Sequence, residues 1–409
     1  MKQAEVWQHL DKETIKTRVF SALEKNLPLR EGNVMGIPGS NLDPRVFYQD
    51  APFLKDAPFL SSMILNPNHI GCHTFSEESE PFFAGTQEIE REVLDICSRD
   101  ILNGEKDAID GYVASGGTEA NIQAAWIYRN YFQQEMGAKA EEIAILCSAD
   151  NHYSAAKAAN VLNIRFFRIA VDDNSRKIDQ NDLQRVLEKA QSEGVRFVVV
   201  IANMMTTMFG SVDRTSDYTI ELKKRAIPYF IHVDGAYGGF VYPFTGESTD
   251  LDFSNPEVSS ITLDAHKMVQ APYGTGVFLI RKGWMKYVRS SEASYVKGLD
   301  ATLIGSRSGA NAVAIWMILT TYGPIGWQDK IRRLCKRADR IAAALQERGI
   351  SFFQEKGSNI ITIRSGQLSE EIIHRFHLVP DDHEHPKWHK IVVMEHVDDA
   401  MADLFIASL

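Results

Sequence analysis

The chain has 409 residues, 44% of them hydrophobic and 24% charged, with a formal net charge of -10. That length allows a sizeable buried core and more than one globular unit, and the composition excludes disordered, fibrous and disulfide-scaffold classes. The acidic balance, with no dense basic cluster, argues against a nucleic-acid partner.

The opening residues, MKQAEVWQHLDKETIKTRVF, mix charged and apolar side chains at helical spacing and lack the apolar stretch of a signal peptide. No later run is long and apolar enough to span a bilayer, so no membrane partner is expected. Cys72, Cys97, Cys147 and Cys335 are scattered without a CxxC pair. Neither a zinc site nor a disulfide framework follows, and a reducing cytoplasm is the expected setting.

Residues 27–86 form an irregular segment rich in Pro, Asn and Phe, and a helical pattern follows in QEIEREVLDICSRDIL. Between residues 111 and 282 the apolar runs GYVAS, IAILCS, RFFRIAV, FVVVIAN, PYFIHVD, SSITLD and GVFLIR alternate with amphipathic helical stretches. That alternation predicts an α/β fold with a large, mostly parallel sheet covered by helices on both faces. Ligands of such sheets bind beyond the carboxyl ends of the strands. Farther on, ANAVAIWMILTTYG and DKIRRLCKRADRIAAALQERG predict long helices, and NIITIR and KIVVMEHV predict strands of a small C-terminal α+β domain.

Three motifs fall just after predicted strands. SGGTEAN, at 115–121, opens a helix whose first N–H groups and positive dipole end suit a phosphate; Gly116 and Gly117 admit close approach and Thr118 adds a hydroxyl. In HVDGAYGG, at 232–239, Asp234 ends an otherwise apolar strand, where a carboxylate needs a partner. A protonated pyridine nitrogen would serve, as would a helix cap or a loop N–H. In LDAHKM, at 263–268, Lys267 is placed to condense with an aldehyde and His266 to bond a phosphate, although most lysines are solvated surface groups. The three together, in this order along one sheet, point to pyridoxal 5'-phosphate.

With these motifs, and with NHYSAAK at 151–157, NMMTTMFGSVD at 203–213, GSRSGAN at 305–311 and FFAGTQEIEREVLDI at 82–96, the chain resembles the group II pyridoxal-phosphate-dependent amino-acid decarboxylases over nearly its whole length. The nearest likeness is to compact members, the bacterial histidine and archaeal tyrosine/aspartate decarboxylases. The resemblance implies the aspartate-aminotransferase-like fold. It also implies an N-terminal segment, 1–86, contributing to the active site and dimer contacts, a large cofactor-binding domain, 87–308, and a small C-terminal domain, 309–409.

The resemblance further implies roles. Lys267 matches the lysine that carries the cofactor, Asp234 the partner of the pyridine nitrogen, His152 the histidine stacked on one ring face and Ala236 the small residue under the other. Gly117, Thr118, Thr206 and His266 match cofactor-binding positions, and Ser306 a serine that in some members reaches the phosphate of a neighbouring subunit, so a homodimer is expected. Tyr295 matches the tyrosine near which relatives keep their proton donor. Two departures stand out: Met205 precedes Thr206 where relatives often carry glycine, and Lys390 stands where larger relatives grip the substrate carboxylate with arginine. A lysine offers a point charge in place of a bidentate fork.

The implied reaction is decarboxylation of an L-amino acid to its amine and carbon dioxide. A carbon–carbon lyase resembling sphingosine-phosphate lyase is the alternative, and a silent scaffold of the same fold a lesser one. The cluster DDHEHPKWH, at 381–389, has potential metal ligands but is read as a hairpin tip, so no metal is expected.

Overall fold

In the computed structural model, residues 4–29, 32, 34–36, 41–71, 81–290 and 300–409 are described. In chain order the helices are α1 (Lys12–Lys25), α2 (Pro58–Leu65), α3 (Ala84–Asp95), α4 (Gly117–Met136), α5 (Ser154–Leu162), α6 (Gln180–Ser192), α7 (Ser216–Lys224), α8 (Gly309–Glu347), α9 (Glu370–Arg375) and α10 (Asp399–Ser408). The strands are β1 (Asn68–Ile70), β2 (Ile109–Ala114), β3 (Ile143–Ser148), β4 (Arg165–Ile169), β5 (Phe197–Asn203), β6 (Tyr229–Asp234), β7 (Val258–Asp264), β8 (Gly276–Arg281), β9 (Ser306–Ser308), β10 (Phe352–Phe353), β11 (Ile360–Arg364), β12 (Val379–Pro380) and β13 (Trp388–Val392). The chain forms two compact units, neither of them continuous in sequence: 1–138 with 252–326, and 139–251 with 327–409.

In the first unit β8 lies between β2 and β7 and runs antiparallel to both. The connection 265–275 is too short for the crossover of about a dozen residues that a parallel partner would need. Among the described residues, no strand pairs with the other side of β2. Apart from this one reversed strand, the expected parallel arrangement holds in the second unit, where β6, β5, β3 and β4 pair in parallel in that order. Every residue of β3 and β5 is buried, as in strands covered on both faces, and their β-branched and aliphatic side chains suit that environment.

The second unit also carries the small antiparallel sheet, ordered β10, β11, β13, β12. Ile361, Ile363 and Ile391 of that sheet share an apolar core with Ile341 and Leu345 of α8, Ile373 of α9 and Phe405 of α10. Helix α8 is broken at Gly323, whose φ of 60° and ψ of 176° are not helical, and Pro324 follows. The cluster at 381–389 is the turn between β12 and β13 together with the first two residues of β13. There Asp381 accepts from the N–H groups of Lys387 and Trp388, and Asp382 from those of Glu384 and His385. No helix among the described residues is long and apolar enough to cross a membrane.

Candidate active site

The first unit carries Gly117, Thr118, His266, Lys267 and Ser306. Strand β2 ends at Ala114, Ser115 and Gly116 turn the chain, and Gly117 begins the 20-residue helix α4, whose first N–H groups have no acceptor within the helix. Glu119 closes this turn from inside: its Oε2 accepts from the Ser115 N–H and hydroxyl, both at 2.6 Å, and its Oε1 from the Tyr112 hydroxyl at 2.9 Å. A Cβ on Gly276, the first residue of β8, would fall 2.6 Å from the Gly116 Cα, so the strand and the turn meet backbone to backbone.

Gly276 also pairs with Asp264, the last residue of β7, after which the chain turns through His266 and Lys267. The buried Asp264 carboxylate stands 3.3 Å from Lys267 Nζ and 3.6 Å from His266 Nε2. His266 Nδ1 is buried with no hydrogen-bond partner among the described residues. His266 also borders the turn, since a Cβ on Gly116 would lie 3.7 Å from its Cε1. The structure thus joins the glycine turn, His266 and Lys267 in one unit. Ser306 is on β9, exposed, with its hydroxyl accepting from Asn68 Nδ2 at 3.3 Å.

The second unit carries His152, Thr206, Asp234, Ala236 and Lys390. Asp234 ends β6 in register with Asn203, which ends β5, and is 8% exposed. One Asp234 oxygen accepts from the N–H of Ala236 at 3.1 Å. His152 follows β3; its Nδ1 accepts from the Ser154 N–H at 3.3 Å and also meets the Ser154 hydroxyl at 3.0 Å, which leaves the ring proton on Nε2. Its neighbour Asn151 donates to Asn203 at 2.6 Å, and Asn203 in turn donates to Ser148 at 3.0 Å and Asp213 at 2.8 Å. Asp213 also accepts from Tyr218, and burial pushes its carboxyl up to about 6.

Thr206 is buried and its hydroxyl is bonded within its own loop, to the Ser211 hydroxyl at 2.8 Å. Met205 has a φ of 67° and is 3% exposed. That left-handed backbone is the conformation glycine adopts most cheaply. Lys390, on β13, donates from Nζ to the Thr207 carbonyl at 2.9 Å. Tyr295 lies outside the described residues.

Motif reading missed the side chains behind these groups. Asp264 and Glu119 were legible as acids three residues before Lys267 and four after Ser115, but only the fold aims them at those neighbours. Nothing in the sequence signals the chain of Asn151, Asn203 and Asp213, which is assembled from the ends of different strands.

Each unit's donors, taken by themselves, fit part of pyridoxal 5'-phosphate. A helix N-terminus, a threonine hydroxyl and a histidine nitrogen buried without a partner suit a phosphate dianion. A lysine on a tight turn suits an aldehyde, and a buried strand-end carboxylate suits a protonated ring nitrogen.

The family model described as the pyridoxal-dependent decarboxylase conserved domain matches residues 41–361. Over 393 residues, 96% of this chain and 94% of the relative, the sequence is 48% identical to a tryptophan decarboxylase of Clostridium sporogenes. Among solved structures, the L-methionine decarboxylase of Streptomyces sp. 590, in complex with 3-methylthiopropylamine, superposes with a TM-score of 0.71 at 22% identity, covering 90% of this chain and 89% of that one. The sphingosine-1-phosphate lyase of Burkholderia pseudomallei K96243 superposes with a TM-score of 0.70 at 17% identity, covering 93% and 92%. These two likenesses show a common fold and do not separate decarboxylation from carbon–carbon cleavage.

Proposed function

Because the chain belongs to the pyridoxal-dependent decarboxylases, we propose that its own substrate is an aromatic L-amino acid, tryptophan first, released as the amine and carbon dioxide. The chain is a pyridoxal-phosphate-dependent amino-acid carboxy-lyase, and the proposal concerns which side chain it accepts. The observation that carries it is the 48% identity to a tryptophan decarboxylase, which runs through 96% of this chain.

The cofactor, when bound, supplies an electron-withdrawing ring that takes up the electron pair released as carbon dioxide leaves. The residues divide the remaining work. Lys267 Nζ would hold the aldehyde, its amine standing beside the Asp264 carboxylate. Asp234 keeps a proton on the ring nitrogen. His152, its orientation held by Ser154, and Ala236 would flank the ring. Gly117, Thr118 and His266 hold the phosphate, and Thr206 lies in the loop beside β6. Lys390 Nζ neutralises the substrate carboxylate, exchanging the Thr207 carbonyl for it. Tyr295 returns a proton to the substrate Cα. For each turnover one proton is taken up, one Cα–carboxylate bond is broken and one Cα–H bond is formed.

We place two copies in the functional unit. Val46, Tyr48 and Phe53 are 63%, 68% and 61% exposed in one short segment, an apolar surface of the kind that subunit contacts cover. The proposed setting is the cytoplasm. In support, Cys97, Cys147 and Cys335 are buried free thiols, and burial pushes Cys147 and Cys335 up to about 12.

The test is product analysis with purified holoenzyme and a panel of tryptophan, tyrosine, histidine, aspartate and methionine. Tryptamine with an equal amount of carbon dioxide is the expected major product. A higher kcat/KM for aspartate or histidine would overturn the substrate assignment. A fully active monomer in analytical ultracentrifugation at assay concentration would overturn the dimer.

A further inference from the structure

The first unit contains a buried charge network that none of the roles above uses. Glu90, on α3, is 1% exposed. One of its oxygens accepts from His69 Nδ1 at 2.6 Å and the other is paired with the Arg307 guanidinium. His69 and Arg307 are cross-strand partners in the ladder of β1 and β9, so a single carboxylate spans both members of the pair. Thr86 meets the other nitrogen of His69 at 2.9 Å. The packing leaves no slack there: a Cβ on Gly309 would come within 2.5 Å of His69 Nε2.

The same two charges take hold of one residue of β2. Glu90 accepts from the Val113 N–H at 2.8 Å, and Arg307 donates to the Val113 carbonyl at 3.1 Å while its other arm donates to the Gly71 carbonyl at 2.6 Å. In an antiparallel pair, alternate residues turn both backbone groups away from the partner strand. Among the described residues β2 has only β8 beside it, so the outward groups of Val113 would otherwise lie on an open strand edge. Tyr112 adds its ring beneath the guanidinium, 5.0 Å away. Taking an ion pair out of water costs several kcal/mol per charge, which makes apolar packing the cheaper way to cover an edge. What the ion pair adds is direction: it fixes both backbone groups of Val113 and the residue next to Ser306 through one bonded unit.

We propose that the Glu90–Arg307 pair is a positioning device for the cofactor phosphate, fixing the backbone that leads into the 115–118 turn and, in the same bonded unit, the neighbour of Ser306. Val113 is two residues before that turn, and Arg307 is the immediate neighbour of Ser306. The inference rests on reading 115–118 as the phosphate seat. It deepens that reading by assigning the geometry of the seat to residues that touch neither cofactor nor substrate.

The experiment compares the affinity of the full-length apoenzyme for pyridoxal 5'-phosphate and for pyridoxal, which lacks the phosphate, by absorption titration, with circular dichroism to establish folding. Glu90→Gln, Arg307→Lys and the charge-free double variant Glu90→Gln/Arg307→Gln are each expected to lower the preference for the phosphorylated form about tenfold or more, leaving pyridoxal binding nearly unchanged. A merely structural role would weaken both ligands together. Thr118→Ala tests the seat itself. If it shifts the preference and the folded pair variants do not, the positioning role is overturned and the seat stands. If Thr118→Ala leaves the preference unmoved, the seat reading falls. Failure of all three pair variants to fold would mark the pair as a folding element and overturn the proposal.

Discussion

Lys267 Nζ rests 3.3 Å from the Asp264 carboxylate, three residues back across the turn that leaves β7. The carboxylate is buried and the lysine side chain is 32% exposed, so the amine is tethered at its base and open to an incoming aldehyde. Borohydride reduction of the holoenzyme is expected to fix the pyridoxyl group on Lys267, and Lys267→Ala to abolish both adduct and turnover. Peptide mapping that finds the label on another lysine would sink the assignment.

Asp234 is expected to govern turnover more than cofactor retention. Asp234→Asn removes the charge at the end of β6 with little change of shape and leaves untouched the residues proposed to hold the phosphate. A fall in kcat of about a hundredfold is expected, equivalent to roughly 3 kcal/mol of transition-state stabilisation. Near-normal steady-state turnover in this variant would exclude the carboxylate as the partner of the ring nitrogen.

Asp213 should make stability depend on pH. Burial outweighs its bonds from Asn203 and Tyr218 and raises it to about 6, so the folded chain holds this proton more tightly than the unfolded one. Its contribution is therefore complete below about pH 4 and is lost as pH rises through about 6, roughly 3 kcal/mol in all by pH 7. Asp213→Asn should accordingly gain stability relative to the parent between pH 4 and pH 7. Denaturant melts at both values measure the difference, and a gap that stays constant with pH counts against the argument.

Gly276 should tolerate no side chain. Its added Cβ would sit 2.6 Å from the Gly116 Cα, a backbone atom that cannot rotate aside. Gly276→Ala is expected to cost about 1–3 kcal/mol of stability and to weaken cofactor binding, because the turn must move. Thermal unfolding and cofactor titration together test this, and unchanged values in both would show that the turn can yield.

Much of this fold was legible because its motif residues follow strand ends. Runs such as FVVVIAN and IAILCS could be assigned from buried β-branched residues, and the motif residues after them fell where such sheets bind ligands. The antiparallel course of β8 was not legible, since an apolar run has the same pattern in either direction and only the short connection decides it. The residues bearing on the motif groups were hidden for a related reason. Glu90 and Arg307 are separated by more than two hundred positions and meet only after β1 pairs with β9. Asn203 reads as the polar end of a strand until Asn151 and Asp213 are folded against it.

The interrupted threading of the first unit has a consequence for biosynthesis. β2 leaves the ribosome before β8, its one strand neighbour among the described residues, which is encoded from Gly276 onward. At translation rates of about 5–20 residues per second, β2 waits roughly 8–30 s for that partner. During this interval α3 and α4 can form locally, while a strand of Tyr, Val and Ala stays open to pairing with other nascent chains. Aggregation during expression should therefore depend on how quickly residues 114–276 are translated, and slowing synthesis within that stretch should lower the soluble yield while leaving the stability of the finished protein unchanged.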